Sequence, residues 1–404
     1  MKIDILLKRT NYISIFNETF YRYLNVSHSW TGSIKWSNKY ISMPRKNSLM
    51  IIPSLNIIAS NQIHEKDILS AGEEYSFHPN YFRNAAQRVF VRYCNRFPLN
   101  LLSKGEMIEI EPWVKLLDYT IIVPGNHSLK LMDTVNGICT VVPYHPNSPF
   151  MKNEISFRQG HSHYPVIPKF RIDSRIGGYS EQMIKGIPIN RLRDTDITDK
   201  IYSRVRKDLL EIYQETLLQI KAQEFSANIV LDIEEQVSNV IQHLPYNLTD
   251  QLNATIKKIK LSLRQLLVNK VTMALTHGDF QYGNILVYDF EEIKYFIIDW
   301  EYSQVRNIFY DSIVIYSGAR KSINISMKLK KLIGMDDKDV KAILWPLVIV
   351  DNDKSKTLIE IVLSFIAEEL LLRLMEISAS KFIPETFSQF LMELESVVNY
   401  CNEH

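Results

Sequence analysis

Between Leu275 and Val287 the chain reads Leu-Thr-His-Gly-Asp-Phe-Gln-Tyr-Gly-Asn-Ile-Leu-Val, and after a short hairpin, Tyr288 to Glu292, it reads Phe-Ile-Ile-Asp-Trp-Glu from Phe296 to Glu301. Asp279, Asn284 and Asp299 are the oxygen-bearing side chains that a magnesium-nucleotide site requires. Phosphoryl transfer asks little covalent chemistry of a protein. It needs a carboxylate near the incoming hydroxyl and oxygen ligands that hold magnesium against the β- and γ-phosphates. The spacing His-x-Asp-x4-Asn lets Asp279 face an acceptor while Asn284 faces a metal. Magnesium keeps several of its waters, so two protein ligands are enough. Asp299 closes an apolar run, Tyr295 to Ile298, that reads as a buried strand delivering its carboxylate to a cleft. Either half alone is a common accident, since an aspartate at a strand end is more often a turn former. The two in this order, fifteen residues apart, are much rarer by chance.

This pattern resembles the aminoglycoside phosphotransferase and choline kinase family, small-molecule kinases with a protein-kinase-like fold. The matching residues are His277-Gly-Asp279, Asn284 and Ile298-Asp-Trp-Glu301, and Asp311 in Asn307-Ile-Phe-Tyr-Asp311 stands where the family has a further aspartate. The resemblance implies that Asp279 is the catalytic base or hydroxyl-orienting group and that Asn284 and Asp299 bind Mg2+. It implies that His277 and Asp311 are structural, bracing the loop by hydrogen bonds, and that Glu301 is a further polar group near metal or acceptor. The implied fold is α+β and two-lobed, an antiparallel sheet followed by a mostly helical lobe. ATP is the implied nucleotide, and the sequence leaves GTP open.

Such residues need a scaffold. From Met107 the pattern is strand-like, in runs Met107 to Glu111, Tyr119 to Val123, Ser128 to Met132 and Gly137 to Val142, with turns at Pro124-Gly-Asn126 and Thr134-Val-Asn-Gly137. Together these predict an antiparallel meander over the nucleotide. Asn153 to Arg158 is a short helical pattern whose Glu154 matches the glutamate that pairs with a phosphate-gripping lysine. The strand just before it, Gly137 to Tyr144, contains no lysine. Lys130, one strand earlier on the polar side of Leu129 and Leu131, is a substitute, as are Lys152 and Lys169; a lone lysine on a polar strand face is commonly just solvated. Tyr179 to Pro188 resembles the hinge between lobes, where backbone groups of Gln182, Met183 and Ile184 would hold adenine, and reads equally as an edge strand. Beyond it the period becomes 3.6, with helices expected over Ile201 to Ile220, Ala227 to His243, Asp250 to Leu267, Leu358 to Leu374 and Glu385 to Cys401.

The chain therefore divides into 1–105, an N-terminal extension with a helical pattern at Tyr81 to Tyr93; 106–184, the sheet lobe; and 185–404, the helical lobe with the catalytic loop. The extension matches no motif and reads as an extra domain, an interaction surface or an elaboration of the sheet lobe.

Composition narrows the class. The 404 residues are 46% hydrophobic and 23% charged, a globular balance, and the net charge of +2 is too mild for nucleic acid or an anionic membrane. Cys94, Cys139 and Cys401 are odd in number and far apart, which fits a reducing cytoplasm and no disulfide framework. The opening apolar run is too short for a signal peptide, and no run approaches the ~20 residues of a membrane span. His161-Ser-His163 has no third metal ligand at useful spacing, and Gly-x-Ser-x-Gly, Walker and zinc signatures are absent. The leading expectation is a kinase acting on the hydroxyl of a small molecule such as a sugar or amino alcohol. The alternative is a catalytically silent nucleotide-binding module that regulates a partner. A protein-directed kinase fits less well, because the stretch from Asp299 to Asp311 is too short for a protein-substrate platform. Acceptor and oligomeric state are not legible.

Overall fold

The computed structural model describes residues 3–9, 11–37, 47–60, 63, 82, 85–86, 89, 107–192, 194–266, 270–318, 324–349, 356–380 and 383–404. The expected helix at 81–93 falls largely outside them. The chain forms two compact units, one built from Met1–Ile201 and Tyr282–Glu301, the other from Tyr202–Gln281 and Tyr302–His404. The expected α+β class holds: an antiparallel sheet dominates the first unit and helices dominate the second.

In the first unit, α1 (Ile3–Leu6) and α2 (Tyr12–His28) precede β1 (Ser33–Ser37), β2 (Ser48–Ile52), β3 (Ile57–Ser60), β4 (Met107–Glu111), β5 (Thr120–Pro124), β6 (Ser128–Asp133) and β7 (Ile138–Pro143). Helix α3 (Pro149–Gly160), β8 (Phe170–Asp173) and β9 (Gly178–Gln182) follow. Among the described residues, nine strands make one sheet in the order β1-β4-β2-β3-β5-β6-β7-β9-β8. The expected meander is therefore β5-β6-β7, whereas β4 lies elsewhere in the sheet, between β1 and β2. The N-terminal strands elaborate this same sheet.

Alternation along β6 decides what each face holds. Leu129 and Leu131 enter a core with Phe16, Phe20 and Leu24 of α2. Lys130 is turned to the opposite face, where Cys139, Val141 and Tyr179 pack with Met151 of α3. Helix α3 starts with Pro149 at a position that needs no hydrogen-bonding N–H. A separate ribbon, β10 (Ile187–Pro188), β13 (Ile285–Asp289) and β14 (Lys294–Ile297), completes the unit.

The second unit contains most of α4 (Thr195–Glu215), then β11 (Leu218–Lys221), α5 (Ala222–Val240), α6 (Tyr246–Leu266), β12 (Lys270–Thr276), β15 (Gln304–Asn307), α7 (Tyr310–Ser317), α8 (Ile325–Ile333), α9 (Asp337–Ile343), α10 (Lys356–Ser380) and α11 (Phe387–Glu403). The helical expectation for Ile201 to Ile220 runs too far: its last residues form β11, because the alternation Leu218, Ile220 can pair with β12. Helix α10 is buried on all sides around Phe365, Ile366 and Leu370 and packs against α5, α6 and α8.

Its buried acids have defined partners. The Glu369 carboxylate accepts from Tyr310 Oη at 2.5 Å and Arg373 Nε at 3.0 Å. Glu368 accepts the Asn307 N–H at 2.8 Å, and its Oε2 is buried without a hydrogen bond. Burial pushes Glu368 up to about 8, against the Asn307 N–H and the Arg306 charge. A carboxyl whose pKa is raised on folding binds its proton more tightly in the native state, so its contribution to stability falls as pH rises from its ordinary value of 4.5 to about 8 and is level above. Glu368→Gln is therefore expected to stabilise the chain by ~4 kcal/mol more near pH 9 than near pH 5, read from thermal unfolding at both pH values. Equal shifts at both would contradict a neutral Glu368.

Candidate active site

In the first unit, the strand β14 ends at Ile297 and the chain turns at Asp299, whose φ of 62° lies in the left-handed region. Aspartate tolerates this conformation better than most residues, and such strain, of order 1 kcal/mol or more, is held where surroundings over-determine it. They do so here. Trp300, next in the chain, is fully buried, donates its indole N–H to Ile297 O at 2.9 Å, and stacks on Phe157 of α3 with ring centroids 3.8 Å apart. The Ile298 N–H bonds to Asn284 O at 3.0 Å and the Ile297 N–H to Val166 O at 2.9 Å. The backbone of Asn284 is thus tied to the residue before Asp299.

Lys130 reaches this turn from β6, its Nζ 2.6 Å from Asp299 Oδ1. Burial works against its charge, but the Asp299 carboxylate outweighs burial, with Glu154 adding to it, and the lysine pKa is raised. Lys130 lies opposite Val141 in the β6–β7 register, so it occupies the face that a lysine on β7 would have used.

Glu154 lies on the side of α3 facing this cluster, 5% exposed. It accepts from Tyr179 Oη at 2.8 Å and lies 3.5 Å from Arg158 Nη1, one helical turn on. Arg158 also binds Glu181 at 2.7 Å and Pro168 O at 2.7 Å, its guanidinium lying over the rings of Phe170 and Tyr179. Burial pushes Glu154 up to about 7, against the pull of Arg158. A cavity of about 110 Å³ is lined by Lys130, Glu154, Met183, Ile184, Leu286 and Asp299, a mixed apolar and charged lining.

Among the residues singled out in the first unit, the structure brings together Lys130, Glu154, Met183, Ile184 and Asp299. Gln182 is not among them: it ends β9 opposite Ile138 and lines a broad groove with Thr140, Ser180 and Asp173. The Met183 N–H is bonded to Gly137 O at 2.8 Å. Arg158, Tyr179 and Glu181 were missed, although Arg158 stands at i+4 from Glu154, a spacing that signals a helical ion pair.

In the second unit, β12 delivers the loop that carries Asp279. Gly278 has φ of 82°, and a Cβ there would lie 2.3 Å from Tyr302 O, so glycine is required on both counts. Asp311 is fully buried and accepts the His277 N–H at 2.7 Å, the Gly278 N–H at 2.9 Å and Tyr213 Oη at 2.6 Å. His277 Nδ1 accepts the Asp279 N–H at 3.2 Å, and Gln281 Nε2 donates to Asp279 Oδ1 at 2.7 Å. Asp311→Ala would leave two N–H groups and a hydroxyl buried without their acceptor. It is expected to lower stability by roughly 3 kcal/mol or more. A shift in urea-unfolding free energy below ~1 kcal/mol would show that the loop does not depend on this carboxylate.

Among the described residues, no group of three or more His, Cys, Asp or Glu side chains is gathered as a metal site. The donor chemistry of Asp299 and Asn284 fits a hard cation that keeps its waters, and the ammonium of Lys130 already shows Asp299 accepting a positive charge at contact distance. No helix among the described residues is long and apolar enough to cross a membrane.

No protein-family model and no curated protein matches the chain. Among solved structures it is similar to a choline/ethanolamine kinase family protein from Mesorhizobium loti, at 13% identity and a TM-score of 0.43 over 70% of this chain and 88% of that one. An ethanolamine kinase of Plasmodium vivax gives 12% identity and a TM-score of 0.44 over 84% and 94%. The choline kinase LicA from Streptococcus pneumoniae gives 11% and 0.44 over 72% and 92%. At these identities and scores, function rests on the residues and distances above.

Proposed function

We propose that this protein is an ATP- and magnesium-dependent kinase that phosphorylates a hydroxyl group of a small molecule. The observation that carries the proposal is the contact of Lys130 with Asp299 in a cavity shared with Glu154, Met183 and Ile184. A lysine, a strand-end carboxylate and an apolar edge are what a nucleotide needs for its phosphates, its metal and its base.

The roles follow from the chemistry of each side chain. Asp299 and Asn284 would hold Mg2+, which when bound would neutralise charge on the nucleotide phosphates. Lys130 exchanges its carboxylate partner for phosphate oxygen when the nucleotide enters. Glu154, fixed by Tyr179 and Arg158, adds, when ionised, to the negative potential that keeps the lysine charged. Met183 and Ile184 line the base site, and the Gln182 side chain is turned to the other groove. Asp279, oriented by Gln281, accepts the acceptor's hydroxyl proton as that oxygen bonds to the γ-phosphorus and ADP leaves. His277 and Asp311 hold the loop in shape.

The silent-module reading draws on the missing β7 lysine and on the unassigned N-terminal extension. Lys130 supplies that group, which favours the enzyme. The test is calorimetric titration with ATP, with and without magnesium. Binding that strengthens with the metal and weakens in Asp299→Ala is expected; equal binding by both proteins would sink the assignment.

A further inference from the structure

The geometry points to the N-terminal helix as a brace for the nucleotide-covering hairpin, with Tyr12 and Arg9 as positioning residues. This rests on the kinase reading above. The hairpin is the turn between β5 and β6, closed by the Gly125 N–H donating to Ser128 O at 2.8 Å. Two residues beyond that turn is Lys130, so whatever fixes the turn also fixes the start of the strand that carries the lysine.

The N-terminal elements reach this turn directly through Arg9 and indirectly through Tyr144, the residue after β7. Tyr144 Oη donates to Gly125 O at 3.0 Å. Its single proton is thereby used, so in the 3.3 Å contact between Tyr12 Oη and Tyr144 Oη it is Tyr12 that donates. Both phenols are buried, 2% and 9% exposed, their rings edge to face at 6.0 Å. Arg9 Nη1 reaches Asn126 O at 3.4 Å, one residue along the turn. Farther along α2, Thr19 Oγ1 approaches Tyr144 O at 3.4 Å, and Arg22 donates to Pro143 O. The Tyr144 N–H closes the set on His127 O at 2.9 Å, and the His127 ring stacks on Phe150 of α3 at 3.8 Å.

Tyr144 is the node of this arrangement. Its hydroxyl joins α2 to the hairpin, and it lies within electrostatic reach of Glu301, two residues after Asp299. Residues more than a hundred positions apart in sequence are thus joined by hydrogen bonds in a buried setting, where a lost bond is felt more than at the surface. The extension that matched no motif has a place in the mechanism: it holds a turn whose single glycine, Gly125, would otherwise leave it loose, and so sets where Lys130 stands.

The test compares the full-length wild type with Tyr12→Phe, Arg9→Ala and the double variant, with Arg9→Lys as the conservative control. Amide exchange is measured without ligand, and affinity is measured with Mg·ATP. In the double variant the peptide spanning Gly125 to Ser128 is expected to exchange about tenfold faster and Mg·ATP to bind about tenfold more weakly, with exchange in α5 and α10 unchanged and Arg9→Lys close to wild type. Unchanged exchange at the hairpin overturns the brace. Faster exchange with unaltered affinity overturns its role in nucleotide binding. A wild type that fails to bind Mg·ATP overturns the kinase reading instead, and the exchange readout still reports separately on whether the brace exists.

Discussion

Asp279→Ala is expected to slow phosphoryl transfer by at least about a thousandfold while leaving the affinity for Mg·ATP within about threefold of wild type. The expectation comes from separation of roles. Asp279 is oriented by Gln281 and its own loop, and that loop is held by Asp311 rather than by Asp279 itself. Removing the carboxylate therefore deletes the proposed proton acceptor without unbinding the loop. Asn284 and Asp299, the proposed metal ligands, are untouched. Asp279→Asn sharpens the experiment, because it keeps the Gln281 partner and the volume but has little basicity. Single-turnover assays with Mg·ATP and a competent acceptor read the loss, and transfer by Asp279→Ala at a tenth of the wild-type rate or faster would remove it from the mechanism.

Lys130→Ala is expected to weaken Mg·ATP binding by roughly tenfold to a hundredfold, the loss of one charge-assisted contact to phosphate. It also leaves Asp299 without its 2.6 Å cation, so the variant is expected to bind free magnesium more tightly than wild type does. These two shifts in opposite directions distinguish a phosphate-gripping lysine from a merely solvated one. The β6–β7 register supplies a rescue. Val141 stands opposite Lys130, about 5 Å away between Cβ atoms in such a pair, so Val141→Lys in the Lys130→Ala background is expected to recover part of the lost affinity. Calorimetry reads each variant. Unaltered Mg·ATP affinity in Lys130→Ala would show that the phosphates are gripped elsewhere.

The parts of this architecture legible in sequence are those set by strong local pattern. The runs of β4 to β7 lie within a residue of where alternation put them, and Asp299 lies two residues past the apolar strand expected to carry it. Lys130 was visible as the polar position between Leu129 and Leu131, but its reach to Asp299 spans 169 positions, and no local pattern encodes such a contact. Partner choice in a sheet is similarly hidden. Alternation specifies which face Met107 to Glu111 buries, not that β4 would sit between β1 and β2. Gln182 could not be told from Met183, because consecutive strand residues point to opposite faces and the end of β9 was uncertain by about one residue. Tyr12, Tyr144 and Arg9 were invisible for another reason: their chemistry is generic, and only the fold brings two phenols and a guanidinium to one turn. The Arg158 network was half visible, since its i+4 spacing to Glu154 is local while Glu181 and Tyr179 lie on another element.

The central claim is that this chain moves the γ-phosphoryl group of ATP to a small hydroxylated acceptor, and the direct measurement is transfer of label from γ-labelled ATP. Wild type and Asp279→Ala are incubated with magnesium and pooled hydroxylated metabolites, among them sugars and amino alcohols, and with magnesium alone. Magnesium-dependent label in an acceptor, or slow release as phosphate when no acceptor is present, is expected of the wild type, and neither of Asp279→Ala. Label that stays entirely on ATP with the wild-type protein, or that leaves it equally fast with Asp279→Ala, would show that the chain is not this kinase.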